Sequence, residues 1–256
     1  MYSKIKTVEL SIKDIFNIAF TLFTENFKFL LIFGLIIYVP FGILFMIMFQ
    51  SLDAVLNAII YNTDLTLLMN HGMETLIVSS LIILIASFFS TPLIYAGVAG
   101  LANHIVDGNE ASFKPIIDAT FKKIGRHILA IFLFSLVVIP MMVLILPGIY
   151  FGVLFIFHPF VIAITDKKGF RAFAESRRVV QGNWFKTIGF LILTFMFSTM
   201  ISNLLWRTQS FFNMFLINDQ ISFLVYFIFG EIITIYFRLV VALWFLNKFY
   251  LLRKED

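Results

Sequence analysis

Long apolar segments are the feature that most constrains this chain. They run from Phe29 to Phe49, Leu76 to Ala102, Ile128 to Ile164, Ile188 to Trp206 and Ile221 to Leu246. A helix that crosses the hydrocarbon core of a bilayer needs about 20 mostly apolar residues. Because 61% of the residues are apolar and only 13% are charged, a water-soluble fold could not bury this surface. The sequence therefore predicts an all-α, polytopic membrane protein.

The third apolar segment is too long for a single membrane crossing. Pro147-Gly148 lies within it, and Pro-Gly is a turn signal. We therefore interpret Ile128–Ile164 as two short helices folded as a hairpin, which gives six predicted transmembrane helices. No secretory signal peptide is expected, because the first apolar segment follows a long region of mixed polarity and is itself too long.

The lysines and arginines predict the orientation of these helices. Of the 19 basic residues, 17 fall within residues 4–28, 114–126, 167–186 and 248–254, which would all lie on one side of the membrane. Arg207 lies on the other side, and Arg238 lies inside the last span. Cytoplasmic loops carry an excess of basic residues. We therefore expect a protein of the cytoplasmic membrane with both termini in the cytoplasm.

An internal repeat extends over the chain. The segments "SIKDIFNIAF" from residue 11, "SFKPIIDATF" from residue 112 and "GFRAFAESRR" from residue 169 align without gaps, with Lys13, Lys114 and Arg171 at the same position. Each segment leads into an apolar span, and an internal repeat determines the whole architecture. We predict three units of an amphipathic interfacial helix plus a helical hairpin within a single membrane domain, 1–256. The units cover residues 11–105, 112–165 and 169–250.

The amphipathic segments are expected to lie in the membrane interface. Ile12, Ile15, Ala19 and Phe23 recur at helical spacing in the first one, and such helices direct basic residues toward anionic headgroups. The candidate headgroup contacts are Lys13, Lys114, Arg171, Arg177 and Arg178. Alternatively, these helices only fix the tilt of the span that follows, or they dock a partner.

The stretch "LPGIYFGVLFIFHPFVIAITDKKGFRAFAESRRVVQGNWFKTIGFLIL", 146–193, carries a family resemblance through Pro147-Gly148, the spacing of Gly169, Ala172 and Ser176, and Gly182 followed by Trp184. It resembles the membrane domain attached to some bacterial glycerophosphodiester phosphodiesterases, and related uncharacterised six-span bacterial membrane proteins. The resemblance implies the fold. It implies no catalytic residue, because the chemistry of those enzymes belongs to a separate barrel domain for which this chain has no room.

Glu231, Arg238 and His158 form the candidate intramembrane polar site. Charged residues at membrane depth are costly and mark functional sites. Glu231 and Arg238 are seven residues apart, so they share one helix face about 10 Å apart. We expect Arg238 to snorkel toward the cytoplasmic leaflet, and we hypothesise that His158 is the partner of Glu231. The alternative is a protonated Glu231 bonded to a nearby hydroxyl or a freed carbonyl.

No motif predicts an enzyme, a metal site or a cofactor site. The chain has no cysteine, which excludes disulfides and thiolate metal sites. Asp64, His71 and Glu74 lie in a predicted outer loop, Gln50–Thr75, but their spacing matches no metal-ligand pattern. Nucleic acid is not an expected partner, because the positive charge follows the predicted topology.

The sequence favours a non-enzymatic accessory, scaffold or lipid-interacting module, whose partners would be membrane lipids or a partner membrane protein. The alternative is a small transporter or lipid-translocating protein with a polar mid-membrane cavity. Proline kinks at Pro40, Pro92, Pro140 and Pro159 could line such a cavity. Many secondary transporters use inverted repeats, whereas these three repeats share one orientation, so the first function is favoured.

Overall fold

A computed structural model describes residues 2–61, 65–213 and 219–254, which form eleven helices and no strand. The helices are α1 (Lys4–Thr7), α2 (Ile12–Glu25), α3 (Phe27–Tyr61), α4 (Leu65–Val106), α5 (Phe113–Ala119), α6 (Ile124–Met142), α7 (Leu146–Phe155), α8 (His158–Ile164), α9 (Phe170–Val180), α10 (Trp184–Asn213) and α11 (Asp219–Leu252). The prediction of an all-helical protein is confirmed for this part of the chain.

Among the residues that the structure describes, five helical segments are long and apolar enough to cross a membrane. They are Phe27–Met48, Ile124–Met142, Leu146–Ile164, Trp184–Leu205 and Val225–Leu252. The segment predicted as the second span, Leu76–Ala102, lies inside the 42-residue helix α4. Several side chains of that segment fall outside the described part of the structure.

The predicted outer loop, Gln50–Thr75, is wrong in its extent. Helix α3 continues to Tyr61, and α4 begins at Leu65. The prediction matched helix length to the thickness of a bilayer. The 35 residues of α3 give a helix of about 52 Å at 1.5 Å per residue, which exceeds the roughly 30 Å hydrocarbon core.

The turn of the second hairpin lies just before Pro147 and Gly148. Helix α6 ends at Met142 and α7 begins at Leu146, with Ile145 between them in the left-handed region (φ 50°). Pro147 occupies the first turn of α7, where a missing N–H costs nothing. A Cβ on Gly148 would lie 2.5 Å from Met142 Cα, so glycine permits the tight reversal.

Helices α4, α8 and α11 form the centre of the molecule. Helix α4 packs against both α8 and α11, and the rings of Phe157 and Phe160 lie 5.4 Å from the ring of Phe245. Helices α3, α6 and α10 flank this centre. Of the shorter helices, α2 packs on α11, α5 on α4, and α9 on α8.

The segment 96–102 of α4 is a tightly packed part of the centre. Ala96, Ala99 and Ala102 are completely buried. A Cβ on Gly97 would lie 2.3 Å from the Phe33 ring, and one on Gly100 would lie 2.5 Å from Ala119 Cβ. Small residues let membrane helices approach closely, so this segment determines how near α3 and α5 lie to α4.

One end of the molecule gathers segments that are distant in sequence. Asn247 of α11 donates to the carbonyl oxygens of Ile5 and Val8 at 2.8 Å and accepts from the Leu10 amide at 3.2 Å. Among the described residues, three ion pairs involve the N-terminal segment: Lys6–Asp107, Lys248–Glu9 and Lys186–Glu9. A fourth, Arg126–Asp166, joins the start of α6 to the segment after α8. These contacts place all four basic segments of the chain at this end, which we call the basic end.

The close approach at Gly100 predicts a large cost for adding one methyl group. In Gly100→Ala the new Cβ would lie 2.8 Å from the Pro115 carbonyl oxygen, a backbone atom that cannot move aside cheaply. We expect the free energy of unfolding in mixed micelles to fall by about 1–3 kcal/mol. Gly189→Ala is the matched control, because nothing lies within 4 Å of its Cβ position and helix propensity favours alanine by up to about 1 kcal/mol. Equal effects of the two substitutions would contradict the packing described here.

Candidate functional site

Arg238 lies between two tyrosines from neighbouring helices. Its guanidinium donates a hydrogen bond to the Tyr38 hydroxyl on α3. The same guanidinium lies 5.5 Å from the centre of the Tyr38 ring and 5.4 Å from that of the Tyr95 ring on α4. Cation–π contacts of this kind stabilise a charge away from water. The arrangement therefore joins α3, α4 and α11 around one partly buried cation.

Helix direction explains why Arg238 does not snorkel toward the basic end. Side chains on a helix lean toward its N-terminus. Helix α3 starts near the basic end and α11 finishes there, so Tyr38 leans toward that end and Arg238 leans away from it. The two side chains meet, and the predicted snorkelling of Arg238 is replaced by contacts with Tyr38 and Tyr95.

The hypothesised hydrogen bond between Glu231 and His158 is not formed. Oε2 of Glu231 and Nε2 of His158 are both buried without a hydrogen-bond partner among the described residues. The other nitrogen of His158, Nδ1, lies 2.9 Å from the Phe155 carbonyl oxygen and therefore donates to it. The hypothesis used depth alone, whereas His158 points between the rings of Phe134 and Phe173, 5.3 and 5.2 Å away.

His158 has a structural role in the break between α7 and α8. Pro159 has no N–H, so it cannot donate to the Phe155 carbonyl one turn earlier, and His158 does so instead. The Ser176 hydroxyl, on α9, donates to the Leu154 carbonyl at 2.8 Å and accepts from the Phe157 amide at 3.1 Å. Backbone groups freed by the break are thereby satisfied within the protein, as the interior of a membrane protein requires.

The candidate headgroup contacts are exposed at the basic end. Lys13 lies in the first turns of α2, Lys114 in α5, and Arg171 in α9, while Arg177 and Arg178 lie in the last turn of α9. Of these five residues, Arg171 lines a cavity of about 680 Å³ at the start of α9. Lys167, Lys168 and Arg253, which the sequence did not single out, line the same cavity. We call it the basic cavity.

Lys123 is a further basic residue that the sequence did not single out. Its ammonium group donates to the carbonyl oxygens of Ile162, Ala163 and Thr165 at 2.8–2.9 Å. These carbonyls end α8, and a cation at a helix C-terminus is stabilised by the helix dipole. Burial lowers the pKa of the Lys123 ammonium. Lys123 therefore holds the end of α8 in place.

Acidic residues at the basic end are held ionised by their partners. The hydrogen bond from Lys248 lowers the pKa of the Glu9 carboxyl, and the one from Arg126 lowers the pKa of the Asp166 carboxyl. The Lys248 side chain is only 8% exposed. Two of the basic groups therefore belong to ion pairs that join segments of the chain.

Within the described ranges, no three histidine, aspartate or glutamate side chains lie close enough together to hold a metal ion. Asp64 and the side chain of His71 fall outside the described residues, and Glu74 lines a cavity of about 440 Å³ with Ser79 and apolar side chains of α3 and α4.

The Tyr38–Arg238 contact predicts a measurable coupling energy. In a double-mutant cycle of Tyr38→Phe and Arg238→Gln, we expect the two losses in unfolding free energy to be non-additive by about 1 kcal/mol, because each substitution removes the same hydrogen bond. The control cycle, His158→Gln with Glu231→Gln, should be additive within about 0.5 kcal/mol. Coupling in the control cycle but not in the first would contradict the arrangement.

Comparison with known proteins places the chain in a family. Residues 116–247 match a family described as a domain of unknown function, DUF7847. This range runs from α5 into α11, covers more than half of the 256 residues, and includes His158, Arg171, Glu231 and Arg238. No curated protein and no solved structure matches the chain. Because the match covers more than half of its length, the chain belongs to the DUF7847 family.

Proposed function

We propose that the protein is a non-enzymatic, multi-pass accessory module of the cytoplasmic membrane that binds lipid at the cytoplasmic face. The observation that carries this proposal is the concentration of packing and polar contacts at the basic end. There the N-terminal segment, the end of α11 and the segments on either side of α6–α8 are tied together by ion pairs. Phospholipid headgroups of the cytoplasmic leaflet are anionic, so this end suits that surface.

The helix contacts support an arrangement of three repeats and six spans in a ring, which fits this proposal. The sets α2–α4, α5–α8 and α9–α11 each consist of a short helix, an outgoing span and a returning span. Each short helix packs on the returning span of the preceding set: α5 on α4, α9 on α8, and α2 on α11. The outgoing spans do the same, with α6 on α4, α10 on α7, and α3 on α11. The first set thus packs against the third. In this proposed arrangement α4 is the sixth span, in addition to the five segments given above.

Exposed apolar side chains support a membrane position. Val143 and Leu146, at the turn between α6 and α7, are 82% and 78% exposed, and a bilayer would cover them. Phe20 on α2 is also exposed, and the exposed Phe170 on α9 adjoins Arg171. That pairing is typical of interfacial amphipathic helices. The Ser176 bridge to the α7–α8 break gives a physical role to one residue of the proposed resemblance to phosphodiesterase membrane domains.

A small transporter is the second candidate function. The observation that favours it is the buried, unpartnered Oε2 of Glu231, on the same helix face as Arg238. An unpaired polar group inside a membrane span is costly and is often part of an ion or proton pathway. In that case Glu231 would exchange a proton or bind a cationic cargo.

The proposed topology predicts which cysteines an impermeant maleimide can reach. The chain has no cysteine, so single substitutions can be labelled one at a time in intact cells. We expect Asn62→Cys to be labelled, and Asn109→Cys and Gln181→Cys, both at exposed positions of the basic end, to be labelled only after the cells are opened. Labelling of Asn109→Cys in intact cells would overturn the orientation.

The two functions predict different results with reconstituted protein. For a lipid-binding module, native mass spectrometry should show anionic phospholipid retained in preference to a zwitterionic one. Vesicles that contain a trapped pH dye should show the same proton leak with wild-type protein and with Glu231→Gln. A proton flux that Glu231→Gln abolishes would favour the transporter, and retention without headgroup preference would contradict the lipid-binding module.

A further inference from the structure

The basic cavity carries a surplus of positive charge. It lies between the segment 165–171 and the end of α11. Its acidic residue, Asp166, is paired with Arg126 at 3.0 Å, and Lys167 is paired with Glu175. No carboxylate within residues 2–61, 65–213 and 219–254 forms an ion pair with Lys168, Arg171 or Arg253. Three cations therefore remain to bind an anion.

The chemistry of the cavity suits a phosphoryl group. Its volume of about 680 Å³ falls in the range of roughly 300–1,000 Å³ that is usual for ligand sites. Arginine guanidinium groups bind phosphate oxygens in pairs through charge-assisted hydrogen bonds. Arg253 is held over the Phe249 ring at 4.3 Å, which limits the freedom of its side chain. Phe170, 65% exposed, also lines the cavity and offers an apolar surface to an acyl chain.

The corresponding place in the first repeat has the opposite charge. In the gap-free alignment Glu9 occupies the position of Lys167, and Asp14 that of Ala172. A cavity of about 320 Å³ lies there, and Glu9 and Asp14 line it together with a single cation, Lys4. The first repeat therefore lacks the surplus of positive charge found in the third, so the surplus does not follow from the topology alone.

We propose that Lys168, Arg171 and Arg253 form a binding site for a phosphoryl anion, carried by an anionic phospholipid headgroup whose acyl chain lies along Phe170. The inference rests on the proposed lipid-binding function and deepens it by naming the site. Arg171 and Arg253 hold two phosphoryl oxygens, and Lys168 adds a third positive charge at the opening.

The test uses the full chain in neutral detergent micelles. The probes are a short-chain phosphatidylglycerol, the matching zwitterionic phosphatidylcholine, and inorganic phosphate, with binding followed by microscale thermophoresis. Wild-type protein should bind phosphatidylglycerol more tightly than phosphatidylcholine. In the double variant Arg171→Gln, Arg253→Gln the affinity for phosphatidylglycerol should fall at least about tenfold, because two charge-assisted hydrogen bonds are lost.

The matched control is the double variant Lys4→Gln, Lys28→Gln. It also loses two exposed positive charges at the basic end, and neither lysine is a candidate headgroup contact. At physiological salt we expect its affinity to stay within about twofold of wild type, because distant exposed charges are screened. Arg171→Lys, Arg253→Lys should lie between the two, since charge is kept but paired hydrogen bonding is lost. That variant also serves if the glutamine pair unfolds.

The possible outcomes distinguish failure of the proposed binding site from failure of the proposed lipid-binding function. Equal losses in the glutamine pair and its control would overturn the site but leave the lipid-binding function standing. A wild-type protein without preference for phosphatidylglycerol would contradict the proposed function itself. If inorganic phosphate binds as tightly as phosphatidylglycerol and competes with it, the phosphoryl site is supported and its ligand is a soluble phosphate.

Discussion

The close approach of helices at Gly97 and Gly100 is the constraint on which the rest of the structure depends. Neither position has room for a methyl group, because Phe33 of α3 and Ala119 of α5 occupy that space. Helices in lipid have no hydrophobic driving force for association, so close van der Waals packing must hold them together. With α4 in the centre, α8 and α11 pack on it from either side, and the short helices close the ring at the basic end.

Charge is used in two ways at that end. Most of the ion pairs join segments that are distant in sequence, as Lys6–Asp107 and Lys248–Glu9 do, and they stabilise the closed ring. Around Arg171, by contrast, positive charge converges on a cavity without a matching carboxylate in the described part of the chain. Arg238 is different again, because tyrosine rings and a hydroxyl stabilise it inside the helix bundle. The proposed lipid-binding function follows from this division between structural and available charge.

Local sequence patterns predicted the helices correctly, whereas they did not predict which residues of different helices are in contact. Apolar length predicted the long helices, and the helical spacing of Ile15 and Ala19 matches the face that α2 buries. The predicted pairing of Glu231 with His158 was wrong, because a similar depth along two helices does not determine whether two side chains face each other. Tyr38 and Tyr95 could have been noticed as isolated hydroxyls in apolar spans, yet only the packing of α3 against α11 shows that they meet Arg238. The basic cavity was missed because Arg253 lies 82 residues after Arg171 in the sequence.

Zero-length carbodiimide crosslinking of the native protein tests most directly whether the ring of helices closes at the basic end. The reagent joins a lysine to a carboxylate only when they are in contact. A closed ring predicts crosslinks between Lys6 and Asp107 and between Lys248 and Glu9. These pairs join the N-terminal segment to the end of α4 and to the end of α11. The local pair Lys122–Asp118 is the positive control. Its crosslink appearing without the two long-range ones would contradict the closed ring.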